Sequence, residues 1–120
     1  MNYAMEVIVE TSDTEAEPAR KEIKVSRGIL TSVIIAPQVY LGGTVKAQIF
    51  LEGIQLYPTS VGQYYTIISD PVKVQDRYVT FPKEARMEIR AWAVGARYRH
   101  RLATLVNIIP LTKEMRRVGL

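Results

Sequence analysis

Residues 44–57 read Thr-Val-Lys-Ala-Gln-Ile-Phe-Leu-Glu-Gly-Ile-Gln-Leu-Tyr. In an extended chain Val45, Ala47, Ile49 and Leu51 fall on one face and Lys46 and Gln48 on the other, the period-two pattern of a half-buried strand. Glu52-Gly53 supplies turn chemistry, and Ile54–Tyr57 opens a second short strand. The same alternation recurs outward in both directions. Tyr3, Met5, Val7 and Val9 alternate with Ala4, Glu6, Ile8 and Glu10; Ile23 and Val25 lead to a turn near Arg27-Gly28; Ile29 to Ala36 stops at Pro37. Gln38 to Gly43 reads as a loop, with Gly42-Gly43 a turn signal. Further strands are expected over 63–68, 72–80, 85–94 and 97–109, the last closed by Pro110. Helical spacing is almost absent. About eight short strands, punctuated at roughly 8–12-residue intervals, predict an all-β fold, an antiparallel two-sheet sandwich in the form of a single jelly roll. An immunoglobulin-type sandwich competes on strand count, but the Cys…Trp…Cys hallmark is missing.

Composition is compatible with one packed domain. The chain has 120 residues, 48% apolar and 23% charged, enough to build a core unaided by metal or disulfide. The absence of cysteine excludes disulfides, cysteine zinc sites and thiol catalysis. The longest apolar runs fall far short of the roughly 20 residues of a spanning helix, so no membrane partner is expected. The first ten residues lack the basic-then-apolar order of a secretory signal. Residues 11–20, acid-rich and holding Pro18, suit a solvated arm, in which Ser12 or Asp13 would cap at most a short helix. The expected organisation is an N-terminal strand and acidic arm over 1–20, a sandwich over 21–110 and a basic tail over 111–120. Residues 1–60 carry seven acids and five bases, net −2, and residues 61–120 five acids and eleven bases, net +6, summing to +4. That asymmetry suits a self-complementary assembly or an anionic partner.

The segment 85–109 permits a sharper expectation. A two-residue turn at Gly95-Ala96 would fold it into a hairpin with Met87, Ile89, Ala91 and Ala93 facing the core opposite Thr104, Leu102, His100 and Tyr98. Arg90 would then oppose Arg101 and Trp92 would oppose Arg99, with Arg86 and Arg97 nearby, on one outward face. Opposed like charges on a sheet are unfavourable, so that face invites an anion, or carboxylates such as Glu88 from within the protein. Trp92 beside arginine is also a grouping used to stack sugars and single-stranded nucleic acid. His100, the single histidine, points inward without a catalytic companion and reads as a structural, hydrogen-bonded residue. No nucleophile elbow, paired acid and base, or phosphate loop is present. No enzymatic activity, cofactor or metal is therefore expected.

The stretch 105–109 is apolar on both faces: Val106 and Ile108 continue the inward set, while Leu105 and Ile109 share the outward face. Such a strand needs a cover on both sides, supplied by residues 3–9 folding over it or by another chain. Leu105 and Ile109 thus join Arg90, Trp92, Arg99 and Arg101 as candidate binding or interface residues of a homo-oligomer.

Gly53-Ile54-Gln55-Leu56-Tyr57-Pro58, then Ile89-Arg90-Ala91-Trp92, then Tyr98-Arg99-His100-Arg101 running into Val106-Asn107-Ile108-Ile109-Pro110, resemble small β-sandwich proteins encoded among the structural genes of tailed viruses. The likeness spans about residues 21–110 and its motifs are short. It implies a non-enzymatic virion component, a capsid decoration, cement or minor capsid subunit, located in the virion and partnered by the major capsid protein or another virion protein. Such relatives carry an acidic turn after the tryptophan, where this chain has Ala93-Val94-Gly95-Ala96, so no ion at that turn is carried over. The alternative expectation is a sandwich module recognising carbohydrate or nucleic acid through the Trp/Arg face, with nucleic acid the less favoured partner.

Overall fold

A computed structural model describes residues 2–26, 28–37, 44–68, 70–80, 85–95 and 99–110. The loop at 38–43, Arg27, Ala96 to Tyr98 and the tail 111–120, all interpreted above, lie outside the described residues. The strands are β1 (Asn2–Val9), β2 (Ala19–Val25), β3 (Gly28–Pro37), β4 (Thr44–Leu51), β5 (Ile54–Tyr57), β6 (Tyr65–Ile67), β7 (Val72–Thr80), β8 (Ala85–Val94) and β9 (His100–Pro110). They form two antiparallel sheets, β1-β9-β3-β7 and β2-β8-β4-β5, with β6 pairing on β4. The pairings nest: β4 with β5, β3 with β7, β2 with β8, and β1 with β9. Successive nested pairs fall alternately in the two sheets, which is the jelly-roll form of a β-sandwich.

Period-two patterning explains the core. Val33, Ile35, Leu102, Val106 and Ile108 from the four-stranded sheet meet Val45, Ala47, Ile49, Met87, Ile89 and Ala91 from the other, all essentially buried. Met5, Val7 and Val9 extend the core along β1. The Glu52-Gly53 turn adopts φ of 50° and 79°, matching the positive values that the favoured two-residue hairpin turn requires. Gly28 answers to a close approach: a Cβ there would lie 2.3 Å from the Ile109 carbonyl oxygen and 2.6 Å from Ile108 Cγ2.

Three expectations change. Residues 2–9 are an integral strand beside β9, and β2 begins at Ala19, so only residues 10–18 remain as an exposed connection. Asp13 caps a turn there, with no helix, its Oδ2 accepting from the Glu10 backbone N–H at 2.7 Å. The largest change concerns 85–109. β8 lies between β2 and β4, whereas β9 lies between β1 and β3 in the opposite sheet. Gly95 has the positive φ anticipated, 69°, but the chain uses it to cross between sheets.

Candidate functional site

That crossing separates the residues expected to share one face. Arg90 and Trp92 sit on the outer face of the five-stranded sheet; Arg101, Leu105 and Ile109 sit on the outer face of the other sheet, across the whole thickness of the sandwich. Arg99 precedes β9 and is exposed, 3.8 Å from Glu10. Neither the Arg90–Arg101 nor the Trp92–Arg99 pairing exists.

On the five-stranded sheet the cross-strand neighbours of Arg90 are Arg20 and Gln48, and those of Trp92 include Lys46. Along β2 and β8 every outward pair is like-charged: Arg20 with Arg90, Glu22 with Glu88, Lys24 with Arg86. Relief comes from within the chain, by the Arg90–Glu88 ion pair along the strand and by Arg86 with Glu22 diagonally at 3.9 Å. The Arg90 guanidinium also lies over the Phe50 ring, 3.8 Å from its centroid, where the ring's negative face attracts it.

Trp92 is buried, with 4% of its surface exposed, although it points away from the core. β5 and β6 share one edge of β4, and residues 58–64 between them are tied back over the outer face. Gln55 holds that segment: its Nε2 lies 2.9 Å from the Pro58 and Gln63 carbonyl oxygens and 3.1 Å from that of Ser60, and its Oε1 accepts from Gly62 N–H at 3.0 Å. Gln48 Nε2 donates to the Gln63 carbonyl at 2.9 Å. Tyr64 then meets Trp92 edge-on, ring centroids 5.3 Å apart at 78°, and the Lys46 ammonium sits 5.2 Å from the Tyr64 centroid. Trp92 is a roofed packing residue and not an open stacking platform.

The four-stranded sheet has no such roof among the described residues. Leu105 is 49% and Ile109 44% exposed. Ala4, Leu105 and Ile34 form one cross-strand row; Glu6, Ala103 and Ala36 the next; Ile8 and Arg101 the one beyond. Ile109 adjoins the buried Ile29. A polar row separates the two apolar parts: Asn107 Nδ2 donates to Asn2 Oδ1 at 2.6 Å, and Thr31 donates to Asn107 Oδ1 at 2.9 Å. Arg101 reaches Glu6 at 3.7 Å. Residues 3–9 therefore lie beside Leu105, in the plane of the sheet, and do not cover it.

His100 points inward opposite Val9 and is 4% exposed. The hydrogen bond expected for it is missing: neither ring nitrogen has a partner among the described residues, and the inward Thr104 hydroxyl further along β9 lacks one too. One polar contact escaped the sequence. The Tyr57 hydroxyl donates to Asp76 Oδ2 at 2.6 Å, joining β5 to β7 across the two sheets. Burial first, then the Asp76 hydrogen bond and charge, push the Tyr57 phenol above its ordinary range; burial raises Tyr65 as well. No cluster of three or more potential metal ligands occurs among the described residues. Comparison with known protein families and with curated proteins finds no match to the chain.

Proposed function

We propose that this chain is a non-enzymatic structural subunit, a capsid decoration, cement or minor capsid component of a tailed-virus particle, that works through protein–protein contacts on the outer face of its four-stranded sheet. The observation that carries the interface is the row Ala4, Leu105, Ile34, with Leu105 half exposed on an interior strand. Covering the open half of Leu105 and of Ile109 is worth about 1 kcal/mol each, an increment that symmetry repeats and that docking entropy opposes. The jelly roll is widely used in capsid subunits, but fold alone does not assign function; placement in a virion is supported by the sequence resemblance.

The alternative, a module binding carbohydrate or nucleic acid through tryptophan and arginine, has less support, since Trp92 is roofed and the arginines divide between opposite faces. Solution mass measured against concentration, alone and with capsids, tests the proposal on three chains: full length, ending at Pro110, and Leu105→Asp. Association that Leu105→Asp weakens while leaving the fold intact supports it. A folded monomer at every concentration and on the capsid lattice overturns it, and salt-sensitive oligonucleotide binding favours the alternative.

A further inference from the structure

The two sheets end in strands that are guarded to different degrees. β2 carries four charges in seven residues, Arg20, Lys21, Glu22 and Lys24, and Lys21 aligns with the core-facing Ile89, an inward-pointing charge of the kind that blocks edge pairing. β7 carries Lys73, Asp76 and Arg77 and shifts register against β3 between Leu30 and Ser32. β5 has only four residues, a register shift against β4 and Pro58 at its end. β1 has none of these devices. Its eight residues hold one charge, Glu6, its register with β9 is unbroken from Asn2 to Val9, and its core-facing positions are Tyr3, Met5, Val7 and Val9. On the side away from β9 it has no strand partner among the described residues. A strand edge without a strand partner is a template for another strand.

We propose that the edge of β1 away from β9 pairs antiparallel with β1 of a second copy about a two-fold axis at Met5. This deepens, and rests on, the interpretation of the chain as a self-associating subunit. The register follows from charge. An axis at Met5 places Ala4 opposite Glu6 of the second copy and Asn2 opposite Ile8. Moving the axis to Glu6 would set two carboxylates directly against each other, an unfavourable pair. Residues 2–8 of each chain then extend the ladder, and the four-stranded sheets fuse into one of eight strands. The Ala4–Leu105–Ile34 rows of the two copies come to lie on the same outer side. Pairing through this edge thus doubles the apolar strip instead of consuming it, leaving it for the lattice.

The test uses the sign of a charge at Ala4, an exposed position that tolerates either. At the proposed register Ala4→Lys faces Glu6 twice per dimer and Ala4→Glu does the same with the wrong sign. Dimerisation measured by sedimentation should tighten about fivefold with Ala4→Lys and weaken about fivefold with Ala4→Glu. Amide exchange of the full-length chain should meanwhile slow at alternate residues of β1 as concentration rises. Leu105→Asp keeps the two ideas apart. Association that both Ala4 variants and Leu105→Asp weaken alike belongs to the sheet face, which overturns the edge pairing and leaves the subunit proposal standing. A chain that remains monomeric at millimolar concentration overturns the edge pairing; one that also stays monomeric on the capsid lattice overturns both.

Discussion

The two outer faces start from similar material and end differently. On the five-stranded sheet Phe50 and Trp92 point away from the core, as Leu105 and Ile109 do on the other. Phe50 lies under Arg90, and Trp92 beneath Tyr64 on a segment anchored by Gln55 and Gln48. No described segment covers Leu105. Strand alternation assigns a side chain to a face, whereas the connections decide whether that face is solvent or interior. Apolar residues on an outer face therefore signal an interface only after the neighbouring loops have been placed.

The contrast is most open to attack at Trp92. Trp92→Ala should cost the monomer about 3 kcal/mol in denaturant unfolding, because it empties a filled space, whereas Leu105→Ala should cost only about 1 kcal/mol. Equal losses would mean that the faces are not differently covered. Gly28→Ala should follow at about 2 kcal/mol, since the new methyl meets backbone of β9 that cannot step aside; a lowered melting temperature without loss of the two-state transition checks it. Gln55→Ala should cost about 1 kcal/mol and shift Trp92 fluorescence to the red as the 58–64 segment loosens.

The next effect depends on pH. Tyr57 keeps its proton more firmly folded than its ordinary value near 10.0. Its stabilising contribution is thus whole below about pH 10 and is lost as pH rises from there through the folded value. Unfolding midpoints should fall more steeply above pH 10 in the natural chain than in Tyr57→Phe. The smallest effect is Arg101→Gln: an exposed ion pair to Glu6 should change stability by less than about 0.5 kcal/mol.

Most of the strand map was legible because each strand carries its own period, and Glu52-Gly53 marks its hairpin by local chemistry alone. Leu105 and Ile109 were legible for the same reason, since alternation within 105–109 shows two apolar faces without reference to other strands. The pairing of β8 was not. A strand with Ile89 and Ala91 on one side and Arg90 and Trp92 on the other satisfies a hairpin with β9 and a ladder between β2 and β4 equally well. The choice depends on contacts some 70 residues away, such as Arg20 with Arg90. The roof over Trp92 was hidden too, because Gln55 carries no periodic signal that its amide will gather the carbonyls of Pro58, Ser60 and Gln63. Tyr57 and Asp76 meet only once both sheets are stacked.

Nesting of the strand pairs also sets a timetable. β4 and β5 close across two residues, while Asn2 finds Asn107, so the outermost pair bears the greatest loop-closure entropy. On the ribosome β1 is made before β2 to β8 and meets its partner β9 only after all of them have been translated. Throughout that interval a nearly uncharged strand has both edges open to neighbouring nascent chains, the circumstance in which premature pairing does most harm. Glu10, Asp13, Glu15 and Glu17 follow it directly, and their mutual repulsion makes them gatekeepers for a strand that is safe only once β9 has been synthesised.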